Sequence, residues 1–236
     1  MVHTIQNKKE IVMDSILKKL IWLVIAVPAI YLLAIWETIP QTVPLHYNLK
    51  GEIDRLGSKN ELLILVAVLM AVNIGVYFLL TNIHSIDPKK YAVENKGRLF
   101  RIAFVVTVFI SAVICLMLYS SIHEVTKSFF RFIFVGVGLL FSIMGNYMYN
   151  IKPNYFAGFR LPWTLENEEN WKKTHLLGGK IWFAGGLIIA VICLFTPLIA
   201  SVITFSIIMI IMVIIPFVYS YRLYKKQNRE KKAVSL

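Results

Sequence analysis

Five histidines and two cysteines are the residues of this chain best suited to metal or nucleophilic chemistry: His3, His46, His84, His123, His175, Cys115 and Cys193. Their spacing supports neither. No HExxH pair sets two imidazoles on one helix face. No GxSxG turn presents a serine, and no Walker loop cradles a phosphate. Cys115 and Cys193 lie in apolar runs, where a thiol behaves as a small buried hydrophobe. They imply neither a disulfide framework nor a metal site. His46 and Asp54 could together touch a cation, but one imidazole and one carboxylate are weak grounds for a built site. Thr164 and His175 have no third group to complete a nucleophile, base and orienter. The expectation is a protein that is not an enzyme, with no catalytic residue, metal or cofactor.

Polar chemistry is concentrated instead in one segment, GNYMYNIKPNYFAGFRLPWTLENEENWKKTHLLGGK, residues 145–180. Arg160 is a forked donor among apolar neighbours, costly unless it meets a carboxylate, a lipid phosphate or backbone carbonyls. Gly145 lets helices approach, and Asn146 is an expected interhelical hydrogen-bond partner. Lys152-Pro153-Asn154 breaks the preceding helix. Thr164 is an acceptable N-cap. Glu166, Glu168 and Glu169 then precede Lys172 and Lys173, an order that complements a helix dipole. Glu168 with Lys172 and Glu169 with Lys173 are i,i+4 pairs. The pattern predicts a short interfacial helix from Leu165 to about His175, with Trp163, Trp171 and Leu176 on its apolar side. Gly178-Gly179 should end it. Such a segment either anchors two spans or offers a rigid surface to a partner.

The elements that must position it are membrane helices. Hydrophobic residues make up 58% of the 236 residues and charged residues 16%, with a mean hydropathy of +0.68. Too little polar surface remains to cover the chain in water. Six runs approach the length of about 20 apolar residues that a span needs. They are Leu20 to Trp36, Leu62 to Ile83, Phe100 to Tyr119, Phe130 to Met148, Ile181 to Ala200 and Val202 to Tyr221. With no water to satisfy the backbone in lipid, each should be a helix. The reading is an all-α polytopic protein, one integral membrane domain over 1–236.

Cation placement gives the orientation. Twenty of the 25 Lys and Arg residues fall in the first tail, the second and fourth loops and the last tail, which share one side if there are six spans. Five, Lys50, Arg55, Lys59, Lys127 and Arg131, fall on the other. Both termini and residues 145–180 should be cytoplasmic, and 39–60 the first extracytoplasmic loop. The net charge of +12 then reflects a basic skirt against anionic lipid and not nucleic-acid binding. The tail KKQNREKKAVSL should be disordered or lipid-associated. Trp22, Trp36, Tyr119, Tyr147, Trp182 and Tyr221 fall near span ends as an aromatic belt.

No Asp, Glu, Lys or Arg stands in the middle third of any run. Ion- or proton-coupled pumps need such groups at depth. Asn73 is an expected partner between helices. The outer loop, IPQTVPLHYNLKGEIDRLGSKN, has Pro40 and Pro44 to hold it extended and Gly51 and Gly57 to turn it. It reads as a small ordered lid on the span ends, with Pro44, His46, Asn48, Gly51 and Asp54 as candidates to face an extracellular ligand.

These segments together resemble the SdpI-like immunity-protein family. The resemblance rests on Gly145, Asn146, Pro153, Asn154, Gly158, Arg160, Pro162, Trp163, Thr164, Leu165, Trp171, Thr174, His175, Gly178 and Gly179, with PxxVPLHYN and GExDRxGSK in the outer loop. It implies a polytopic protein of the bacterial cell membrane that protects the cell against a secreted, membrane-active toxin peptide. It further implies signalling, by drawing a cytoplasmic transcriptional repressor to the lipid bilayer. A transporter or channel for a peptide or small solute is the alternative.

Overall fold

The computed structural model describes residues 2–89, 91, 93–123 and 127–234. Lys90, counted above among the second-loop cations, lies outside these residues, as do Ser235 and Leu236 of the basic tail. The described chain runs α1 (Val2–Ile35), a 3-10 turn (Trp36–Thr38), β1 (Thr42–Tyr47), β2 (Ile53–Ser58), α2 (Lys59–Ile86) and α3 (Lys96–Ile122). A second 3-10 turn (Lys127–Phe130), α4 (Arg131–Met148), α5 (Pro162–Glu166), α6 (Glu168–Phe195) and α7 (Leu198–Val234) follow. Six stretches are long and apolar enough to cross a membrane: Asp14–Thr38, Lys59–Ile86, Lys96–Ile122, Arg131–Met148, Glu168–Phe195 and Leu198–Lys231. The chain is an all-α polytopic membrane protein with one small hairpin.

Helix boundaries follow from local chemistry. Ser58 and Glu61 form a capping box at the start of α2: the Glu61 amide donates to Ser58 Oγ (3.2 Å) and the Ser58 amide to Glu61 Oε1 (3.1 Å). Asn167, not Thr164, caps α6, its Oδ1 accepting from the Asn170 amide at 2.9 Å. Thr196 leaves the helix for extended geometry (φ −101°, ψ 153°) because Pro197 follows it. The fifth span therefore stops at Phe195, and Ala200, expected as its last residue, belongs to α7.

Four further expectations are corrected. The short helix between the fourth and fifth spans is Pro162–Glu166, and Glu168 to His175 form the first two turns of α6 itself. Gly178-Gly179 lie inside that helix, because they serve close packing and not termination. The basic tail is helical as far as Val234. Trp182 stands midway along α6, not at its end.

The residues form two compact units. In the first, Met1–Thr81 with Leu99–Phe130, Leu32, Ile39, Val43, Leu62, Val66, Ile114 and Leu118 make a core that joins the hairpin to the ends of α1, α2 and α3. A second cluster of Ile21, Ile25, Tyr77, Phe100 and Ala103 lies further along the same helices. Asn73 links α2 to α3 as expected, donating to Ser111 Oγ at 3.0 Å.

The other unit is Asn82–Arg98 with Arg131–Leu236. Here α4 and α6 pack antiparallel through glycines. A Cβ on Gly145 would stand 2.7 Å from the Gly179 carbonyl oxygen, and one on Gly186 would stand 2.5 Å from the Ser142 amide. Only residues without side chains permit that approach, and close backbone packing is what associates helices in lipid. Ile189, Cys193 and Met212 join α6 to α7. Pro216 has no amide hydrogen, so the Met212 carbonyl one turn earlier lacks its helical donor. The Trp182 indole supplies one at 3.1 Å.

Candidate functional site

The polar segment after α4 is a loop wound on its own side chains. Asn154 is fully buried. Its Oδ1 accepts from the amides of Phe156 (2.9 Å) and Ala157 (2.7 Å), and its Nδ2 donates to the carbonyls of Lys152 (2.9 Å) and Ala157 (3.2 Å). One amide therefore fixes the turn after buried Pro153. Gly158 then takes φ +102°, a conformation that disfavours any side chain, and a Cβ there would run into His175 Nε2.

His175 is the hub beneath this turn. It is 1% exposed and stacks on Trp171, with ring centroids 3.9 Å apart. The Phe159 amide donates to Nε2 at 2.9 Å, so Nε2 carries no proton. Nδ1 then holds the hydrogen and donates to the Trp171 carbonyl at 2.9 Å. This neutral, fully bonded ring is neither a free base nor a metal ligand. The Phe159 side chain fills the notch left by Gly178. Thr164, fully buried, accepts from the Leu161 amide (2.9 Å) and donates to the Phe159 carbonyl (2.6 Å).

Other side chains clasp this loop to the rest of its unit. The Trp171 indole donates to the Ile151 carbonyl at 2.8 Å. The Trp163 indole donates to Ser220 Oγ at 3.1 Å and packs among Phe217, Tyr221 and Tyr224 of α7. Thr174 donates to Asn170 Oδ1 (3.0 Å), whose Nδ2 donates to the Ser220 carbonyl (3.0 Å). Asp87, Lys89 and Asn95 bond to the same segment. Asn95 exchanges two bonds with the Lys152 backbone (3.0 and 3.1 Å), Asp87 accepts from the Tyr155 amide (3.2 Å) and Lys89 donates to the Leu165 carbonyl (3.0 Å).

The hairpin is built differently. Asn48 Oδ1 accepts from the amides of Lys50 (2.8 Å) and Glu52 (3.0 Å), and Gly51 turns the chain at φ +73°. The strands pair Thr42 with Ser58 through Tyr47 with Ile53, with irregularities around His46. Pro44 lies in β1 opposite Leu56. His46 Nδ1 meets Asp54 Oδ1 at 2.6 Å, and Arg55 meets Glu61 at 3.1 Å, all four on the surface. These side chains, with Leu45, Ile64, Leu65 and Val68, line an open cleft of about 530 Å³. Among the described residues no group of three or more His, Cys, Asp or Glu could hold a metal.

A family model described as the SdpI/YfhL protein family matches residues 150–220, the wound loop and its clasps as far as Ser220. That match spans 71 of the chain's 236 residues. A second model, a domain of unknown function (DUF1648), matches residues 23–71, which hold most of the α1 span, the hairpin and the first half of α2. The Immunity protein SdpI of Bacillus subtilis (strain 168) is 27% identical over 197 residues, covering 82% of this chain and 89% of that relative. No solved structure matches.

Within the family segment the structure gathers Asn154, Gly158, Thr164, Trp171, Thr174 and His175 around one buried turn. Three residues fall elsewhere. Asn146 is exposed and makes no side-chain hydrogen bond among the described residues, so its expected interhelical role passes to the backbone contact of Gly145. Pro162 is the exposed first residue of α5. Arg160 finds a backbone carbonyl, that of Tyr155 at 2.7 Å, and keeps the rest of its fork on the surface. Of the two i,i+4 pairs, Glu169 with Lys173 forms (2.5 Å), while Glu168 accepts from the Tyr91 hydroxyl (2.8 Å). Asp87, Asn95, Asn170 and Ser220 escaped the sequence reading. Asn95 and Asn170, both fully buried, lie in polar surroundings that carry no apolar periodicity to mark them.

Proposed function

We propose that this chain is an SdpI-like protein that protects the cell that makes it against a secreted, membrane-active toxin peptide. Similarity to a protein named as an immunity protein, running over most of both chains, carries the reading. The hairpin receives the peptide on the extracytoplasmic side. Both termini and the wound loop of 150–167 lie in the cytoplasm, where twenty of 25 cations would meet anionic lipid. Bonds of Asn95, Asp87 and Lys89 to the wound loop support placing the second and fourth loops on one side. Arg160, with most of its fork unused, offers the surface to which a cytoplasmic transcriptional repressor is drawn once toxin is bound. The protein acts by binding, without catalysis and without solute flux.

Survival of a toxin-sensitive bacterium carrying the chain tests this directly. Protection is expected. Death at the same toxin dose, with the protein shown to be in the membrane, overturns the reading. Orientation is tested separately with a membrane-impermeant thiol reagent on intact cells. Lys50→Cys should be labelled and Lys172→Cys should not.

A further inference from the structure

Among the described residues, the unit containing α1, the hairpin and most of α2 and α3 holds a polar node between two apolar clusters. Asn73 stands near the middle of α2, and Thr107 and Ser111 meet it from α3. The three are 1%, 0% and 4% exposed. Apolar clusters lie on either side along the helices, with Val66 and Ile114 in one and Tyr77 and Ala103 in the other. The Asn73 amide nitrogen donates to Ser111 Oγ (3.0 Å) and to the Thr107 carbonyl (3.4 Å), which uses both of its protons. Two atoms of the same node, Asn73 Oδ1 and Thr107 Oγ1, are closed off from solvent and lack a partner among the described residues. Turning the amide over would set its oxygen against the Thr107 carbonyl, acceptor against acceptor. At the middle of a span neither lipid nor bulk water can meet these groups.

We propose that Asn73 Oδ1 and Thr107 Oγ1 hold a single buried water molecule. The Thr107 hydroxyl donates to the water oxygen, and one water proton goes to Asn73 Oδ1. Two partners fall within the usual range for an internal water, and the site is polar where its surroundings are not. The water completes the bond set that fixes the register of α2 against α3 between the two apolar clusters. The inference is independent of the proposed immunity function.

Two measurements on the full chain in lipid bilayers test it. In water-edited solid-state NMR with labelled Asn and Thr, the side chains of Asn73 and Thr107 should receive polarisation from water. Absence of transfer to either overturns the proposal, including the case of a direct bond between the two side chains. The second measurement is reversible unfolding of Thr107→Val, which keeps the shape and removes the hydroxyl. If the water is held, the folding equilibrium should fall about three- to ten-fold, and the same change in an Asn73→Leu background should have little effect. A Thr107→Val protein as stable as the parent or more so, or an equal loss in both backgrounds, overturns the proposal.

Discussion

The hairpin and the wound loop are the two polar segments folded onto the ends of the spans, and they spend their polar groups in opposite ways. In the hairpin, His46 with Asp54 and Arg55 with Glu61 pair side chain to side chain on the surface. Its hold on the helices comes from apolar Ile39 and Val43. In the wound loop, Asn154, Thr164, Trp171 and His175 are buried, and most of their bonds go to backbone groups. Surface pairs exchange water for a partner at little net gain, whereas a buried bond to backbone leaves an unmet donor or acceptor when it is lost. The loop should therefore be rigid and intolerant of change, and the hairpin free to vary in its charges.

The sharpest test is at the glycines that seat the loop's helix. Gly145→Leu should cost more than about 3 kcal/mol, since backbone atoms of α6 occupy the space a side chain needs. Loss of the folded form in a detergent melting assay would read this out. Gly158→Ala should cost about 2 to 3 kcal/mol, from its positive φ and the collision with His175. Restoring space with a second change, His175→Ala, should not return stability, because the Phe159 amide then loses its acceptor. Asn95→Leu should cost about 2 kcal/mol by stranding the Lys152 amide, while the Lys152 carbonyl keeps its bond from Asn154. Limited proteolysis between Lys152 and Arg160 should detect the loosened turn. Trp163→Phe keeps the ring but loses the bond to Ser220, and about 1 kcal/mol is expected in the same melting assay. Last, His46→Gln should stay within about 0.5 kcal/mol of the parent. A hairpin change as damaging as Asn95→Leu would erase the contrast between the two regions.

The reading of the wound loop from sequence was partial for identifiable reasons. Asn154 is marked by type, since an amide beside proline announces irregular backbone, and Gly158 is marked by the resemblance. Their partners are not. Asn95 lies 57 residues from Lys152, and no local pattern connects them. Gly178-Gly179 reads as a stop because a glycine pair ends helices in water. Here the Phe159 ring fills the space at Gly178 and the facing backbone of α4 that at Gly179, and α6 runs through both. The hairpin hid its strands because Pro40, Pro44 and the irregular pairing around His46 interrupt the alternation of a simple strand.

The six spans and the class of fold were written in the chain by itself, because the cost of an unbonded backbone in lipid leaves helix as the one choice for each apolar run. The ends of those helices, the partners of each buried polar atom and the place of His175 beneath Gly158 were decided by tertiary contact. At those points several local conformations are close in free energy, and a neighbour distant in sequence selects among them.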